Sequence, residues 1–264
     1  MRVLITGAGG GLGRAMAVEC ARRGYDLMLT DVNDKSLRAF KEGLVRQYHC
    51  KVDTLPCDVT DAEDVKRLFR YIREKDFLLN MLLNVAGIDF EGGFLEVDCD
   101  RLIDIVRVNI EGSLRMLHGA LNVREMEKRF HIVVVSSLAC MYPMPLKATY
   151  AASKRFLLDF SLALSQELAG NNTTVLTLCP GGLPTTPGAL QGISAQGFWG
   201  RITTNSLTRV ARRTINRALL GKRVYIPGVV NHTFSILGRL VPKTLLTKLL
   251  YSRWHQAREG HAAT

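Results

Sequence analysis

The sequence predicts an α/β fold: a Rossmann-type, doubly wound parallel sheet of about seven strands, with helices on both faces and a helical C-terminal extension. Three features carry this expectation. Short β-branched or leucine-rich runs alternate with longer segments of helical period. The run His131-Ile132-Val133-Val134-Val135 shows no polar alternation, as expected of a strand covered on both sides. A glycine cluster follows the first apolar run at once and opens a helical segment, where a dinucleotide-binding fold needs it.

In chain order, strands are expected at Arg2–Thr6, Tyr25–Thr30, Lys51–Leu55, Leu78–Leu83, His131–Ser136, Thr173–Leu178 and Arg223–Ile226. Helices are expected at Leu12–Arg23, Lys35–Tyr48, Ala62–Arg73, Arg101–Val123 and Tyr150–Leu168. Residues 1–230 read as one domain, and residues 231–264 as a basic amphipathic helical extension. Residues 182–206, within a stretch rich in Gly, Pro and Thr, read as a substrate loop. Leu183, Leu190, Ile193, Phe198 and Trp199 either anchor that loop or form a lid over an apolar substrate.

The 264 residues, 47% of them hydrophobic and 22% charged, suffice for a large buried core. No apolar run reaches the length needed to span a bilayer, and no secretory signal is evident, so a cytoplasmic location is expected. The six cysteines form no C-x-x-C pair and the six histidines show no ligand spacing, which favours reduced core thiols over disulfides or a metal. The charge is uneven. Residues 201–264 hold 12 of the 35 basic residues and one of the 24 acidic ones, so the whole excess of +11 falls there.

The first strand runs into Thr6-Gly7-Ala8-Gly9-Gly10-Gly11-Leu12-Gly13. Glycines allow a tight turn and let backbone amides approach a pyrophosphate, and the helix that follows adds its dipole. Asp31 stands at the end of the second strand, placed to accept bonds from adenosine ribose hydroxyls and to repel a 2′-phosphate. No Arg or Lys stands at Gly10 or directly after Asp31, so NAD is favoured over NADP. A solvated turn carboxylate, or a cap for the next helix, is the plainer reading of Asp31.

Tyr150 and Lys154 lie four apart on an expected helix, hence on one face. A free phenol has a pKa of about 10, and a neighbouring ammonium lowers it, which would make Tyr150 a general acid and base. Ser137 follows the strand His131–Ser136, at the edge where open α/β sheets bind ligands, with Ser136 as its rival. Asn109 sits inside an expected helix, where asparagine is disfavoured. Either the helix is distorted around a functional amide or the residue faces solvent.

Together these residues resemble the short-chain dehydrogenase/reductase family. The T-G-x-x-x-G-x-G turn is Thr6 to Gly13; Asp58-Val59 match the D-V element under the adenine; Asn84-Val85-Ala86-Gly87 match N-N-A-G, with Val85 departing from it. Asn109, Ser137, Tyr150 and Lys154 match the active-site set, and Pro180-Gly181 the P-G element, with Thr185 at the nicotinamide end. The resemblance covers about residues 1–187. It implies strand order 3-2-1-4-5-6-7 and a cofactor held by Gly7, Gly10, Gly11, Leu12, Gly13, Asp31, Asp58, Val59, Asn84, Ala86, Gly87, Tyr150, Lys154, Pro180, Gly181 and Thr185. It implies that Tyr150 moves the proton, Lys154 holds the nicotinamide ribose and lowers the phenol pKa, Ser137 orients the substrate oxygen, and Asn109 supports a water. A homodimer or homotetramer is also implied.

In the tail, Pro242 precedes Leu245, Leu246, Leu249, Leu250 and Trp254 at helical spacing, with Lys243, Lys248 and Arg253 beside them. This helix packs on the domain or a subunit, lies on an anionic membrane surface, or attracts an acidic substrate; no nucleic-acid module is present. The function expected is NAD(P)-dependent interconversion of an alcohol and a ketone on a lipophilic small molecule, of steroid or 3-oxoacyl type. The alternative is a non-catalytic dinucleotide-binding sensor or scaffold with a basic tail.

Overall fold

A computed structural model describes residues 1–185 and 203–262, apart from the side chains of 237–240 and 253–262. Seven strands, β1 (Arg2–Thr6), β2 (Asp26–Thr30), β3 (Val52–Thr54), β4 (Met81–Asn84), β5 (Phe130–Val135), β6 (Thr173–Leu178) and β7 (Val224–Tyr225), form one parallel sheet in the order β3-β2-β1-β4-β5-β6-β7. Thr6 pairs with Thr30 and with Asn84, and Asn84 with Val134, so these strand ends share one edge. Neighbouring residues of a strand enter opposite cores: Val3, Ile5, Leu83 and Val133 on one side, Leu4, Leu82, Ile132 and Val134 on the other. Both faces are apolar, which explains why the strands show no polar alternation.

Nine α-helices lie among the described residues: α1 (Gly11–Arg22), α2 (Asp34–Gln47), α3 (Ala62–Glu74), α4 (Cys99–Val106), α5 (Ser113–Leu121), α6 (Ala148–Glu167), α7 (Leu207–Leu219), α8 (Val229–Leu240) and α9 (Lys243–Ala262). Asn33, Asp61 and Asp98 cap α2, α3 and α4 through their side chains, and each of these helices has an acidic residue in its first turn. By contrast, α1 begins after Gly10 with no side-chain cap and no acid in its first turn. Its first amides therefore keep their positive end for something outside the helix.

One expected helix is divided. The stretch expected as Arg101–Val123 is interrupted by a π turn at Arg107–Gly112, between α4 and α5. In the tail, Pro242 opens α9 as expected, its carbonyl accepting the Leu245 and Leu246 amides, and a separate helix, α8, precedes it. Residues 230 and 231 both lie within α8, whose Asn231 and Ser235 are buried. Of the leucine stripe in α9, Leu246 and Leu250 are half-buried while Leu245 and Leu249 face solvent; the Trp254 and Arg253 side chains lie outside the described residues. Leu190, Ile193, Phe198 and Trp199 of the substrate loop lie outside them too.

Candidate active site

The site is built on the aligned strand ends. After Thr6 the chain turns at Gly7, whose φ of 63° suits glycine, and whose missing Cβ would lie 2.9 Å from the Ala86 backbone. A Cβ on Gly13 would strike the Gly7 carbonyl at 2.1 Å, so the turn closes only with glycine at 13. Gly10 has nothing nearer than the Gly7 carbonyl oxygen, 3.5 Å from its would-be Cβ, and its amide donates to that oxygen at 3.1 Å, which closes the turn. Leu12 is buried behind it.

Asp31 is drawn into the turn: its carboxylate accepts from the Gly9 amide at 2.9 Å and the Asn33 amide at 3.2 Å. The helix cap itself is Asn33, which accepts from the Ser36 amide at 2.9 Å. Arg14, which sequence reasoning passed over, donates to the Gly9 carbonyl at 2.9 Å and to Ser36 Oγ at 2.7 Å. It places a guanidinium on the far side of the same glycine. Asp58 is exposed and bonds within its own turn, to the Thr60 amide and hydroxyl, while Val59 is buried against Gly112.

The substitution at Val85 leaves the brace between β1 and β4 intact. Thr6 Oγ1 donates to Asn84 Oδ1 at 3.1 Å and accepts from the Val85 and Ala86 amides, while Asn84 Nδ2 donates to Ser113 Oγ at 2.9 Å. Residue 85 enters these bonds through its backbone amide alone.

Beyond this brace Asn109 and Lys154 meet at Gly87. Asn109 sits fully buried in the π turn, accepts from the Ile88 amide at 2.9 Å, and donates to the Ile88 carbonyl and to Ser153 Oγ, each at 3.0 Å. A π turn widens the helix locally and recurs at functional sites, so the distorted-helix reading of Asn109 holds. Lys154 is buried and donates to the Val135 carbonyl at 3.2 Å. Asn109 Oδ1 and Lys154 Nζ each lie 3.0 Å from where a Gly87 side chain would begin. Only glycine leaves the space between them clear.

Tyr150 and Lys154 share a face of α6, with Lys154 Nζ 5.7 Å from the Tyr150 ring centre. Ser136 is buried and donates to the Lys154 carbonyl at 2.7 Å, so it serves the backbone. Ser137 caps the 3-10 turn Leu138–Met141, accepts from the Ala139 amide, and acts on the Tyr150 phenol. Of the two serines, 137 is the one at the phenol.

The expected electrostatics of the Tyr–Lys pair are corrected by this geometry. Burial pushes the Tyr150 phenol above its ordinary value, the Asp89 carboxylate adds to the rise, and Ser137 pulls the other way. Burial also lowers Lys154, to about 8, against the opposing pull of Asp89. The net shift of the phenol is therefore upward, with burial and Asp89 outweighing the groups that lower it. The same desolvation that would strengthen the field of Lys154 weakens its own charge, and its ammonium is directed at a backbone carbonyl.

Two further residues belong to this corner. Lys147, directly before α6, donates to Asp89 Oδ2 at 2.6 Å, lies 3.4 Å from Glu91, and sets its ammonium 5.7 Å from the Tyr150 ring centre. Neither it nor Asp89 belongs to a recognised motif. Pro180 accepts from the Leu138 amide at 2.7 Å. Gly181 packs on Asn231, whose amide donates to the Thr203 and Pro227 carbonyls. Thr185 lies against Gly11, its Cα 2.8 Å from the would-be Cβ. Beside Tyr150 opens a cavity of about 380 Å³, walled by Phe90, Phe94, Leu95, Leu102, Leu146 and Tyr251 among others.

A seven-stranded parallel sheet in this order, with an uncapped glycine turn at its switch point and a Tyr–Lys pair beside it, defines a Rossmann-class protein. The chain belongs to the short-chain dehydrogenase family, whose sequence profile matches residues 1–191. It is 32% identical over 181 residues to the inactive hydroxysteroid dehydrogenase-like protein 1 of Homo sapiens, 67% of this chain and 54% of that protein. It is 30% identical over 203 residues to the probable oxidoreductase EphD of Mycobacterium tuberculosis, 74% of this chain and 33% of that one. Thus it spans about half the length of the first of these relatives and a third of the second. A short-chain dehydrogenase/reductase from Burkholderia phymatum in complex with NAD superposes with a TM-score of 0.79 at 24% identity, over 90% of this chain and 92% of that chain. A single-substitution variant of the actinorhodin polyketide ketoreductase with NADPH gives 0.77 at 23%, over 86% and 95%.

Proposed function

We propose that the protein is a nicotinamide-dependent oxidoreductase that interconverts a ketone and a secondary alcohol bearing a bulky apolar group. The meeting of Asn109 and Lys154 at Gly87, with Tyr150 beside Lys154 and Ser137 at the phenol, carries this reading. The chain's own residues fit the cofactor. The uncapped start of α1 suits a pyrophosphate, Asp31 keeps carboxylate lone pairs for ribose hydroxyls, and the cleared space at Gly87 faces an ammonium. When bound, the nicotinamide supplies hydride exchange with the substrate carbon.

The chain's groups do the rest. Tyr150 gives or takes the proton at the substrate oxygen, and Ser137 donates to that oxygen and fixes its position. Lys154 presents its ammonium to the ribose. Asn109, anchored on Ile88, opens a path for the proton toward solvent. Asp31 favours NAD; Arg14 beyond Gly9 makes the NAD-to-NADP ratio a quantity to measure for the wild type and Arg14→Ala. We also propose a homodimer through the outward side chains Ile103 and Val106 of α4 and Phe156 and Leu162 of α6.

Turnover is tested by NADH- and NADPH-linked absorbance over steroid ketones, 3-oxoacyl thioesters and simple ketones. Tyr150→Phe is expected to lower it by about 100-fold or more while leaving cofactor affinity nearly unchanged. Equal turnover by both forms would overturn the assignment. The non-catalytic reading draws support from relatives named inactive; it predicts cofactor binding with no turnover in the wild type.

A further inference from the structure

We infer that the C-terminal helix forms one wall of the substrate site and that Tyr251 selects for a bulky apolar group on the substrate; this rests on the oxidoreductase reading. The cavity beside Tyr150 takes its lining from four places: the segment after β4 (Phe90, Phe94, Leu95), α4 (Leu102), the approach to α6 (Leu146, Lys147), and α9. Tyr251 is the residue that α9 brings to it. It stands well outside the span matched to the family, residues 1–191.

The helix is oriented for this role. Leu246 and Leu250 are half-buried, while Leu245 and Leu249, about 100° away on the helix, stand 51% and 58% exposed. α9 thus lies with one side on the domain, and Tyr251, about 100° round from Leu250 and 48% exposed, lines the cavity from the margin of that side. Phe94 and Leu95 line the same cavity at 69% and 96% exposure, large for such side chains. An apolar group seated between them and the Tyr251 ring would remove all three from water. Polar lining is confined to a few groups, Lys147 and Glu96 among them, as in sites that bind largely apolar ligands. A small ketone would reach Tyr150 without touching Tyr251, so the wall discriminates by size.

The test compares progesterone, as a bulky ketone, with cyclohexanone, as a small one, on the NADH-loaded full-length protein. Equilibrium dialysis measures progesterone affinity, and linked absorbance measures turnover of both. Tyr251→Ala is expected to weaken progesterone binding about tenfold, with NADH affinity and cyclohexanone turnover unchanged. Tyr251→Phe, which keeps the ring, should restore it. Wild-type progesterone affinity in Tyr251→Ala, or no progesterone binding by the wild type, overturns the proposal. Unfolding midpoints of both variants show whether the fold survives. Were the chain to bind progesterone in a Tyr251-dependent way yet turn over nothing, the oxidoreductase reading would fail and the wall would stand.

Discussion

At the residue scale, the charges around Tyr150 are more numerous than the Tyr–Lys pair alone provides. Asp89 raises the phenol, and Lys147 sits between Asp89, Glu91 and the ring. Removing the carboxylate takes away a negative charge that opposes phenolate. Asp89→Asn is therefore expected to move the acidic limb of the alcohol-oxidation pH profile downward, by about one pH unit or less given its exposure to solvent. Lys147→Met leaves Asp89 and Glu91 uncompensated and should move the limb upward; movement in the same direction for both would refute the electrostatic account. Lys154 supplies a second test. Its folded pKa of about 8 lies below the ordinary 10.5, so the folded state resists the proton that the unfolded chain binds. The cost is present in full below about pH 8 and fades as pH rises toward the unfolded value. Lys154→Met should stabilise the fold at neutral pH, by something on the order of 3 kcal/mol at most, and abolish turnover. Urea midpoints of the two forms, measured at neutral and alkaline pH, check the sign: the gap should narrow as pH rises.

At the element scale, the glycine turn, the strand cores and the Tyr150–Lys154 spacing were legible because each is a pattern within one short segment. Lys147, Asp89, Arg14, Asn231 and Tyr251 were not, because their roles arise from segments brought together by the sheet edge. Tyr251 is 101 residues from Tyr150 yet lines the same cavity. The division of the expected helix Arg101–Val123 lay between these cases. Asn109 signalled a misfit by its type alone, but a π turn depends on what its amide meets, here the Ile88 backbone. The π turn accommodates an additional residue while α4 and α5 each keep their packing. Deleting Val108 should let the helix close into regular α form, preserving circular dichroism and cofactor binding. Asn109 would leave Ile88, and turnover should drop by about 100-fold. Undiminished turnover would show that the amide's position is irrelevant. Gly87→Ala probes the same corner from the other side, pressing on Asn109 and Lys154 together.

At the scale of the whole molecule, the outward apolar side chains of α4 and α6 make self-association measurable. Val106→Glu with Phe156→Glu should halve the mass seen by sedimentation velocity while each chain stays folded; an unchanged mass places the contact elsewhere. The uneven charge resolves in part onto α7, where Arg209, Arg212, Arg213 and Arg217 are all exposed, away from the cavity. The order of the sheet also bears on how the chain is made. β1 leaves the ribosome before the other strands of this sheet, yet one of its two neighbours, β4, ends at Asn84. Until that stretch emerges, a largely apolar strand has one unpaired flank, at a synthesis rate of about 5–20 residues per second. For several seconds this part of the nascent sheet therefore presents an adhesive border that a chaperone would shield.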